Sequence, residues 1–171
     1  MAAQNNFSRA ALWAALFCIL GAILVWFAVM RPASEPNATA VTAGSREPLI
    51  IETRTGKKEF GIEVARTPDQ QALGLMYRTA LPDTQGMLFP HEDEREVTMW
   101  MRNTFIPLDM LFIRRDGVIH RIEANTVPMS ERIIASGGPV AGVLELAGGA
   151  ANRLGIATGD TVRHPFFKAA P

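Results

Sequence analysis

Cysteine is nearly absent from this sequence, since Cys18 is the only one in 171 residues and it lies within an apolar run. The rest of the chain can therefore hold no disulfide framework, thiolate nucleophile or thiolate metal site. An excess of one charge is absent as well, because 17 Lys and Arg residues balance 17 Asp and Glu residues. Without a basic stripe, the sequence does not favour a nucleic acid as a partner.

Common catalytic and metal-binding patterns are also missing. The histidines His91, His120 and His164 are scattered and show no HxxxH or HxH spacing, so no hard metal site is predicted. The sequence has no GxSxG elbow, and the order of its residues supports no Ser-His-Asp arrangement. We therefore expect neither a metal nor a cofactor.

A long apolar run near the N-terminus is the first positive feature. Residues 10–30 carry no charge, and as a helix they would span roughly 30 Å, the thickness of the hydrocarbon core of a bilayer. The run predicts a transmembrane anchor, with a cleaved signal segment ending near Ala38-Thr39-Ala40 as the alternative. Both readings place the rest of the chain beyond the membrane, either anchored on the periplasmic side or secreted after cleavage.

The remaining segments define one domain. Residues 1–9 are a short tail, residues 31–47 are rich in Ala, Ser, Thr and Pro and predict a flexible linker, and residues 167–171 are a C-terminal tail. Residues 48–166 remain, a length of about 120 residues that can bury a single core. We expect the globular β-rich domain there.

Short strand-like runs separated by turns dominate this domain. Strands are predicted at 49–53, 59–64, 86–89, 97–101, 108–113, 118–122, 141–146 and 161–163. Two short helices are predicted, one opened by a capping box at Thr67-Pro68-Asp69-Gln70 and one over residues 148–154. Residues 91–96 and 125–139 are expected to form exposed loops. The pattern predicts a mainly β (α+β) fold, a small barrel-like or strongly curled β-sheet.

Three polar residues interrupt the apolar pattern between residues 99 and 110. Arg102 and Asn103 follow a Met-Trp-Met run, and Asp109 lies in a strand that is apolar on both faces. A buried carboxylate needs a partner, so we expect Asp109 to pair with Arg78 or Arg102, with Asn103 as a further donor. The alternative is an Asp that bonds a turn and fixes the strand register. The candidate polar site therefore comprises Arg78, Arg102, Asn103 and Asp109.

Several strings of residues resemble one known family. They are Gly74-Leu75-Met76-Tyr77-Arg78, Gly86-Met87-Leu88-Phe89, the stretch 99–109, and Leu154-Gly155-Ile156 leading to Gly159-Asp160. Together they resemble the domain of unknown function 192 (DUF192) over about residues 48–166. Members commonly have Phe-Trp-Met-Lys-Asn-Thr, where this chain has Met99 and Arg102. The resemblance implies a compact, barrel-like β fold and supplies no activity, substrate or cofactor.

Methionine is frequent near the predicted strands, at positions 76, 87, 99, 101 and 110. Thioethers fill irregular gaps in a core, and in an extracytoplasmic compartment they can also bind Cu(I). Core packing is the preferred interpretation.

We expect the chain to be a membrane-tethered binding or accessory module for a protein, a peptide or a small ligand. The alternatives are a hydrolase or lyase that acts on envelope material around Asp109, and a structural accessory of a membrane assembly. An enzyme predicts that Asp109, Asn103 and an arginine converge on a pocket. A binding module predicts an exposed apolar patch or an open strand edge.

Overall fold

The computed structural model describes residues 45–167. The predicted N-terminal tail, membrane segment and most of the linker lie outside them. Within this range the chain forms nine strands and two short helices. These are β1 (Glu47–Thr53), β2 (Gly56–Val64), α1 (Pro68–Leu73), β3 (Gln85–Arg95), β4 (Thr98–Met99), β5 (Leu108–Ile113), β6 (Ile119–Glu123), β7 (Ile134–Ala135), β8 (Val140–Ala147), α2 (Ala150–Leu154) and β9 (Thr161–Arg163). No helix between residues 45 and 167 is long and apolar enough to cross a bilayer.

Seven of the strands form one strongly curled sheet, a half-barrel with the order β6-β5-β8-β3-β2-β1-β9. Neighbouring strands are antiparallel except β2 and β3, which are parallel and are joined through α1. The curl brings the two edges together, because the amide of Ile119 donates to the carbonyl of Asp160 and the amide of Val162 to that of Gly117. The predicted mainly β, strongly curled sheet with two short helices is confirmed.

Two neighbouring strands of the sheet, β5 and β8, are buried on both faces. On one face, Leu111 and Leu144 belong to a core cluster that includes residues of β1, β2 and α2. On the other face, Met110 and Val143 pack with Val97, Met101 and other residues of a second cluster. A polar residue on β5 or β8 is therefore removed from water whichever face it occupies.

Helix α1 forms as its local sequence predicts. The side chain of Thr67 accepts a hydrogen bond from the amide of Gln70, and the side chain of Gln70 accepts one from the amide of Thr67, which completes the capping box. Pro68 occupies the start of the helix, where a missing amide hydrogen costs nothing. Gly74 ends it with a φ of 50°, a left-handed value that glycine tolerates best.

Three of the predicted boundaries are wrong. Residues 91–95 are not a loop, because β3 continues to Arg95, which pairs with Val140 across an irregularity in the register. The strand predicted over 97–101 is reduced to β4, and the loop predicted over 125–139 contains its partner β7. The misplaced segments pair with residues 35 to 45 positions away, so a local pattern carries little signal for them.

Candidate functional site

Asp109 is fully buried, and main-chain amides satisfy its carboxylate. Its Oδ1 accepts from the amides of Asn125 at 2.7 Å and Gly149 at 2.8 Å, and its Oδ2 accepts from the amide of Ala151 at 2.7 Å. The expected pairing with Arg78 or Arg102 is therefore wrong, and the turn-bonding alternative describes the geometry. The first amides of a helix have no partner within the helix, so Asp109 holds the start of α2 against β5.

The other three predicted residues have partners elsewhere. Arg78 forms a two-pronged ion pair with Glu63, with N–O distances of 2.7 and 2.6 Å. Arg102 pairs with Glu131 at 3.2 Å, and its guanidinium carbon lies 5.6 Å from the centre of the Trp100 ring. Asn103 has a left-handed φ of 55°, and its side-chain amide points to the sulfur of Met76 at 3.9 Å. Each of the four predicted residues is thus bonded to a different group.

A cavity of about 440 Å³ lies between α1 with its following turn and the segment around β4. Most of its wall is apolar, which is typical of sites for small ligands. We call it the Glu145 cavity and define it by Leu75, Met76, Phe89, Met99, Trp100 and Glu145. Arg102 also lines it, whereas Arg78, Asn103 and Asp109 do not.

Glu145 is the least exposed ionisable residue that lines this cavity. It lies on β8 directly opposite Met87 of β3 and Met110 of β5, and its exposed fraction is 4%. No hydrogen bond or ion pair joins its carboxyl group to any residue from 45 to 167, and its oxygens keep some surface open to the cavity. Burial raises the pKa of Glu145 to about 8, although the positive charge of Arg78 opposes the rise. The group is therefore mostly a neutral acid at pH 7.

A second buried ionisable group, His91, lines the same cavity. Its Nε2 has no hydrogen-bond partner within the described part of the chain. Burial lowers the pKa of His91, and the nearby charge of Arg95 lowers it further, so the ring is neutral at pH 7. Arg95, Glu96 and Arg102 also line the cavity, but all three are exposed to solvent.

Sequence reasoning missed Glu145, although the signal that marked Asp109 was present. Residues 140–147 read Val-Ala-Gly-Val-Leu-Glu-Leu-Ala, so one carboxylate interrupts a strand that is apolar on both faces. Applied to this strand, the same inference predicts a second buried carboxylate. What the pattern lacked was any sign of which buried carboxylate faces a cavity.

A set of exposed large apolar side chains overlaps the cavity lining at Leu73 and Trp100. Three segments contribute them, and main-chain hydrogen bonds join these segments: Tyr77 to Asn103 at 2.9 Å, and Met129 to Thr104 at 3.0 Å. The rings of Tyr77 and Phe105 meet edge to face, with centres 6.0 Å apart. We call this set the apolar rim; it comprises Leu73, Tyr77, Trp100, Phe105, Val127, Met129 and Ile133.

The backbone of the rim segments is unusual. The non-glycine residues with positive φ between residues 45 and 167 are Tyr77, Asn103, Asn125 and Met129. All four belong to the turn after α1, the segment after β4 or the loop before β7. Such conformations cost of the order of 1 kcal/mol each and cluster at functional sites. The strained backbone and the exposed apolar side chains therefore mark the same end of the domain.

Three of the methionines noted in the sequence lie within the core. Met87, Met101 and Met110 are buried in the second cluster, and the sulfur of Met101 accepts a hydrogen bond from the hydroxyl of Thr126. This placement agrees with the packing interpretation. In the described range, no three His, Cys, Asp or Glu side chains come close enough together to hold a metal ion.

Comparisons with known proteins agree on one family. The model of DUF192, described as uncharacterized ACR, matches residues 50–164. A crystal structure of a protein of unknown function from Novosphingobium aromaticivorans DSM 12444 is 42% identical and covers 77% of this chain and 94% of its own, with a TM-score of 0.70. A protein from Sinorhizobium meliloti 1021, described as a "putative transcription regulator", is 45% identical and covers 70% and 95%, with a TM-score of 0.67. No protein with a curated description matches. The resemblance read from the sequence is confirmed, and the chain belongs to the DUF192 family.

Proposed function

We propose that this chain is a binding domain, tethered outside the cytoplasmic membrane by residues 10–30, that takes a small ligand or a peptide segment in the Glu145 cavity. One observation carries the proposal: a buried, unpartnered carboxyl group lies in an apolar cavity near a cluster of exposed apolar side chains. A mostly apolar pocket with a few polar groups is the usual form of a ligand site.

The apolar rim supports a contact beyond the cavity. Large apolar side chains scattered singly over a surface need no explanation, but a contiguous patch marks an interaction site. Trp100 belongs both to the rim and to the cavity wall, and so does Leu73. A ligand longer than the cavity would therefore continue along the rim.

The tether rests on the uncharged run of residues 10–30. Residues 31–47 would connect it to β1 with a reach of at most roughly 60 Å when fully extended. Protease added to spheroplasts tests the location. We expect the domain to be digested while a cytoplasmic marker survives; survival of both, with lysis restoring digestion, would contradict an extracytoplasmic domain.

The enzyme alternative depended on Asp109, and the position of this residue does not support it. Asp109 has no exposed surface, and both of its oxygens hold main-chain amides. An acid of raised pKa in a cavity is also a candidate for proton transfer. The other buried polar groups of the lining are bonded elsewhere, since His91 Nδ1 contacts Arg95 and the Thr104 hydroxyl donates to the carbonyl of Arg102. Binding is therefore the better supported function. Nothing in the described range favours the structural accessory over either.

The name of the Sinorhizobium relative suggests a nucleic-acid partner. Against extending that role to this chain, many arginines of the described range are held by carboxylates, as Arg66 is by Glu47 and Arg153 by Asp83. Phosphate contacts need free cations on one face. We therefore keep a small ligand or a peptide as the proposed partner.

A cavity-filling variant tests the binding site. The full-length chain in phosphatidylcholine nanodiscs is titrated with 5-fluoroindole, a neutral apolar probe with one donor, and the fluorine NMR line width is followed. We expect saturable broadening for the wild type and a loss of affinity of at least tenfold for Thr98→Trp, which fills the cavity from β4. Thr158→Trp, the same change at an exposed turn away from the cavity, should bind like the wild type. Absence of saturable binding by the wild type above empty nanodiscs would contradict the proposed function.

A further inference from the structure

We infer that the Glu145 cavity recognises an ammonium group carried on an apolar stem, and that this ammonium binds the carboxylate of Glu145. The inference rests on the proposed function, since it names the ligand chemistry of the same cavity. The ammonium can belong to a free alkylamine or to the lysine side chain of a peptide, and the experiment below separates the two sources.

The first argument is the position of the carboxyl group. Glu145 is the buried carboxyl of the cavity, and the wall around it is formed by apolar side chains such as Leu75, Met76 and Phe89. A polar ligand group in this cavity meets the Glu145 carboxyl on a lining that is mostly apolar, with His91 and Thr104 as the other buried polar residues. The ligand therefore needs one terminal polar group and an apolar body behind it.

The second argument is that Glu145 has no internal cation to satisfy it. Arg78 is near enough to influence its charge, but both prongs of that guanidinium are bonded to Glu63. Glu145 is only 4% exposed, so its carboxyl group keeps only part of the hydrogen bonds that water would supply, and the lost ones cost free energy. A ligand that donates hydrogen bonds to this carboxyl group replaces the bonds to water that it lost on folding.

The third argument separates an ammonium from other donors. A hydrogen bond between two charged groups is about twice as strong as one between neutral groups. The low dielectric of an apolar wall makes it stronger than it would be in water. A carboxylate ligand would instead need Glu145 to stay neutral and would find no buried cation beside it. The positive groups on the lining, Arg95 and Arg102, are exposed and are screened by solvent.

The proton balance of this binding step is simple. The ligand arrives as an ammonium ion, protonated Glu145 releases its proton to solvent, and the ammonium then faces a carboxylate. Below the pKa of Glu145, affinity should therefore rise about tenfold per pH unit, and it should level off above it. The other charged or titratable groups around Glu145 are His91, Arg95, Glu96 and Arg102 on the cavity lining and Arg78 with Glu63 behind it. The pKa of His91 is lowered by burial, so its ring is neutral at pH 7.5 and 8.5, where the preference for an ammonium is compared.

A matched ligand series tests the inference on the full-length chain in phosphatidylcholine nanodiscs. n-Hexylammonium, n-hexanol and n-hexanoate each compete with 5-fluoroindole at pH 6.5, 7.5 and 8.5, with empty nanodiscs subtracted. We expect hexylammonium to bind at least tenfold more tightly than hexanol at pH 8.5, and to weaken about tenfold between pH 7.5 and 6.5. Hexanol should show no such slope, and hexanoate should weaken as the pH rises.

Two variants make the result specific. Glu145→Gln keeps the size and a hydrogen-bond donor but cannot become negative, so it should lose the preference for hexylammonium while still binding hexanol and 5-fluoroindole. Glu59→Gln removes an exposed carboxylate of β2 that lies outside the cavity lining, and it should keep the preference. Equal affinities for hexylammonium and hexanol, or an unchanged preference in Glu145→Gln, would overturn the inference. Because 5-fluoroindole binding is read in the same titration, such a result would leave the proposed function standing.

The amide of Nα-acetyl-lysine distinguishes the two sources of the ammonium. Affinity at least as high as that of hexylammonium indicates the lysine of a peptide, because the added backbone then finds contacts along the apolar rim. Weaker affinity with the pH slope retained indicates a free amine. Each result supports an ammonium at Glu145, and loss of the pH slope for both compounds would contradict it.

Discussion

Two buried carboxylates on neighbouring strands serve opposite purposes in this domain. Asp109 lies on β5 opposite Leu146 of β8, and Glu145 lies on β8 opposite Met110 of β5. Since adjacent positions along a strand point to opposite faces, the two side chains leave the sheet in opposite directions. Asp109 meets the start of α2, and Glu145 meets a cavity.

The difference between them lies in their partners and not in their burial. Asp109 is 0% exposed and Glu145 is 4% exposed, so each is almost fully removed from water. Three main-chain amides stabilise the charge of Asp109, whereas no group in the described range donates to Glu145. Asp109 therefore stabilises the fold through main-chain donors, whereas Glu145 is left available for the ligand that we propose.

The largest expected effect is the loss of stability in Asp109→Asn. The substituted amide directs hydrogens toward amides that are themselves donors, so at least one buried main-chain group loses its partner. Breaking a buried charged interaction on one side costs about 3–5 kcal/mol, and we expect a loss of that order for the full-length chain. Thermal unfolding followed by circular dichroism measures it.

Asp116→Asn is the matched control, because Asp116 lies in the turn before β6 with a partly exposed side chain. Surface substitutions of this kind usually change stability by about 0.5 kcal/mol or less. Equal melting temperatures for the two variants would show that the three amide bonds to Asp109 contribute nothing.

The second expected effect is a gain of stability, in Glu145→Gln. Folding raises the pKa of Glu145 from its ordinary value to about 8, so the folded state prefers the proton. The contribution to stability is complete below the unfolded pKa near 4.5 and is lost as the pH rises toward 8. Glu145→Gln removes this loss, so its melting temperature relative to the wild type should increase between pH 4.5 and 8.

One pKa unit corresponds to about 1.4 kcal/mol, so this gain reaches several kcal/mol at most. Melting temperatures at half-unit intervals of pH measure it in the full-length chain. Glu96→Gln, which replaces an exposed carboxylate, is the matched control. A difference for Glu145→Gln that does not change with pH would mean that the pKa of its carboxyl is not raised by folding.

The contrast between the two carboxylates also explains how far the sequence could lead. The burial of Asp109 followed from its strand, and the start of α1 followed from Thr67 and Gln70, because caps and apolar runs are local signals. The partners of Asp109 lie 16 to 42 residues away, and no local pattern distinguishes an arginine from a main-chain amide as the donor. Arg78 and Arg102 had the right charge to pair with Asp109, but in the folded chain they pair with Glu63 and Glu131.

The Glu145 cavity could not be predicted for a related reason. Its wall combines α1, β3, the segment around β4 and β8, which meet only after the sheet curls. Two of these pieces were predicted wrongly, since the part of β3 that contains His91 was expected to be a loop and the strand expected over 97–101 is only the two residues of β4. The strand pattern indicates that Glu145 is buried, but it carries no information about a cavity next to this residue.

The smallest expected effect concerns the ion pair behind Glu145. The bond from Arg78 lowers the pKa of Glu63, so that pair contributes stability above pH 4.5 and loses it as the pH falls through the lowered pKa. Since both groups are partly exposed, Glu63→Gln should cost only about 1 kcal/mol at pH 7. Its more informative consequence is electrostatic, because an Arg78 without its carboxylate acts more strongly on Glu145.

We therefore expect Glu63→Gln to lower the pKa of Glu145, because the released charge favours the carboxylate. Carbon NMR of the glutamate carboxyl groups measures the shift in the full-length chain, with Glu145→Gln identifying the signal. Glu47→Gln breaks the comparable pair with Arg66, which does not act on Glu145, and should leave that pKa unchanged. If both variants left it unchanged, Arg78 would not reach Glu145, and the carboxyl would be isolated from every cation until a ligand arrives.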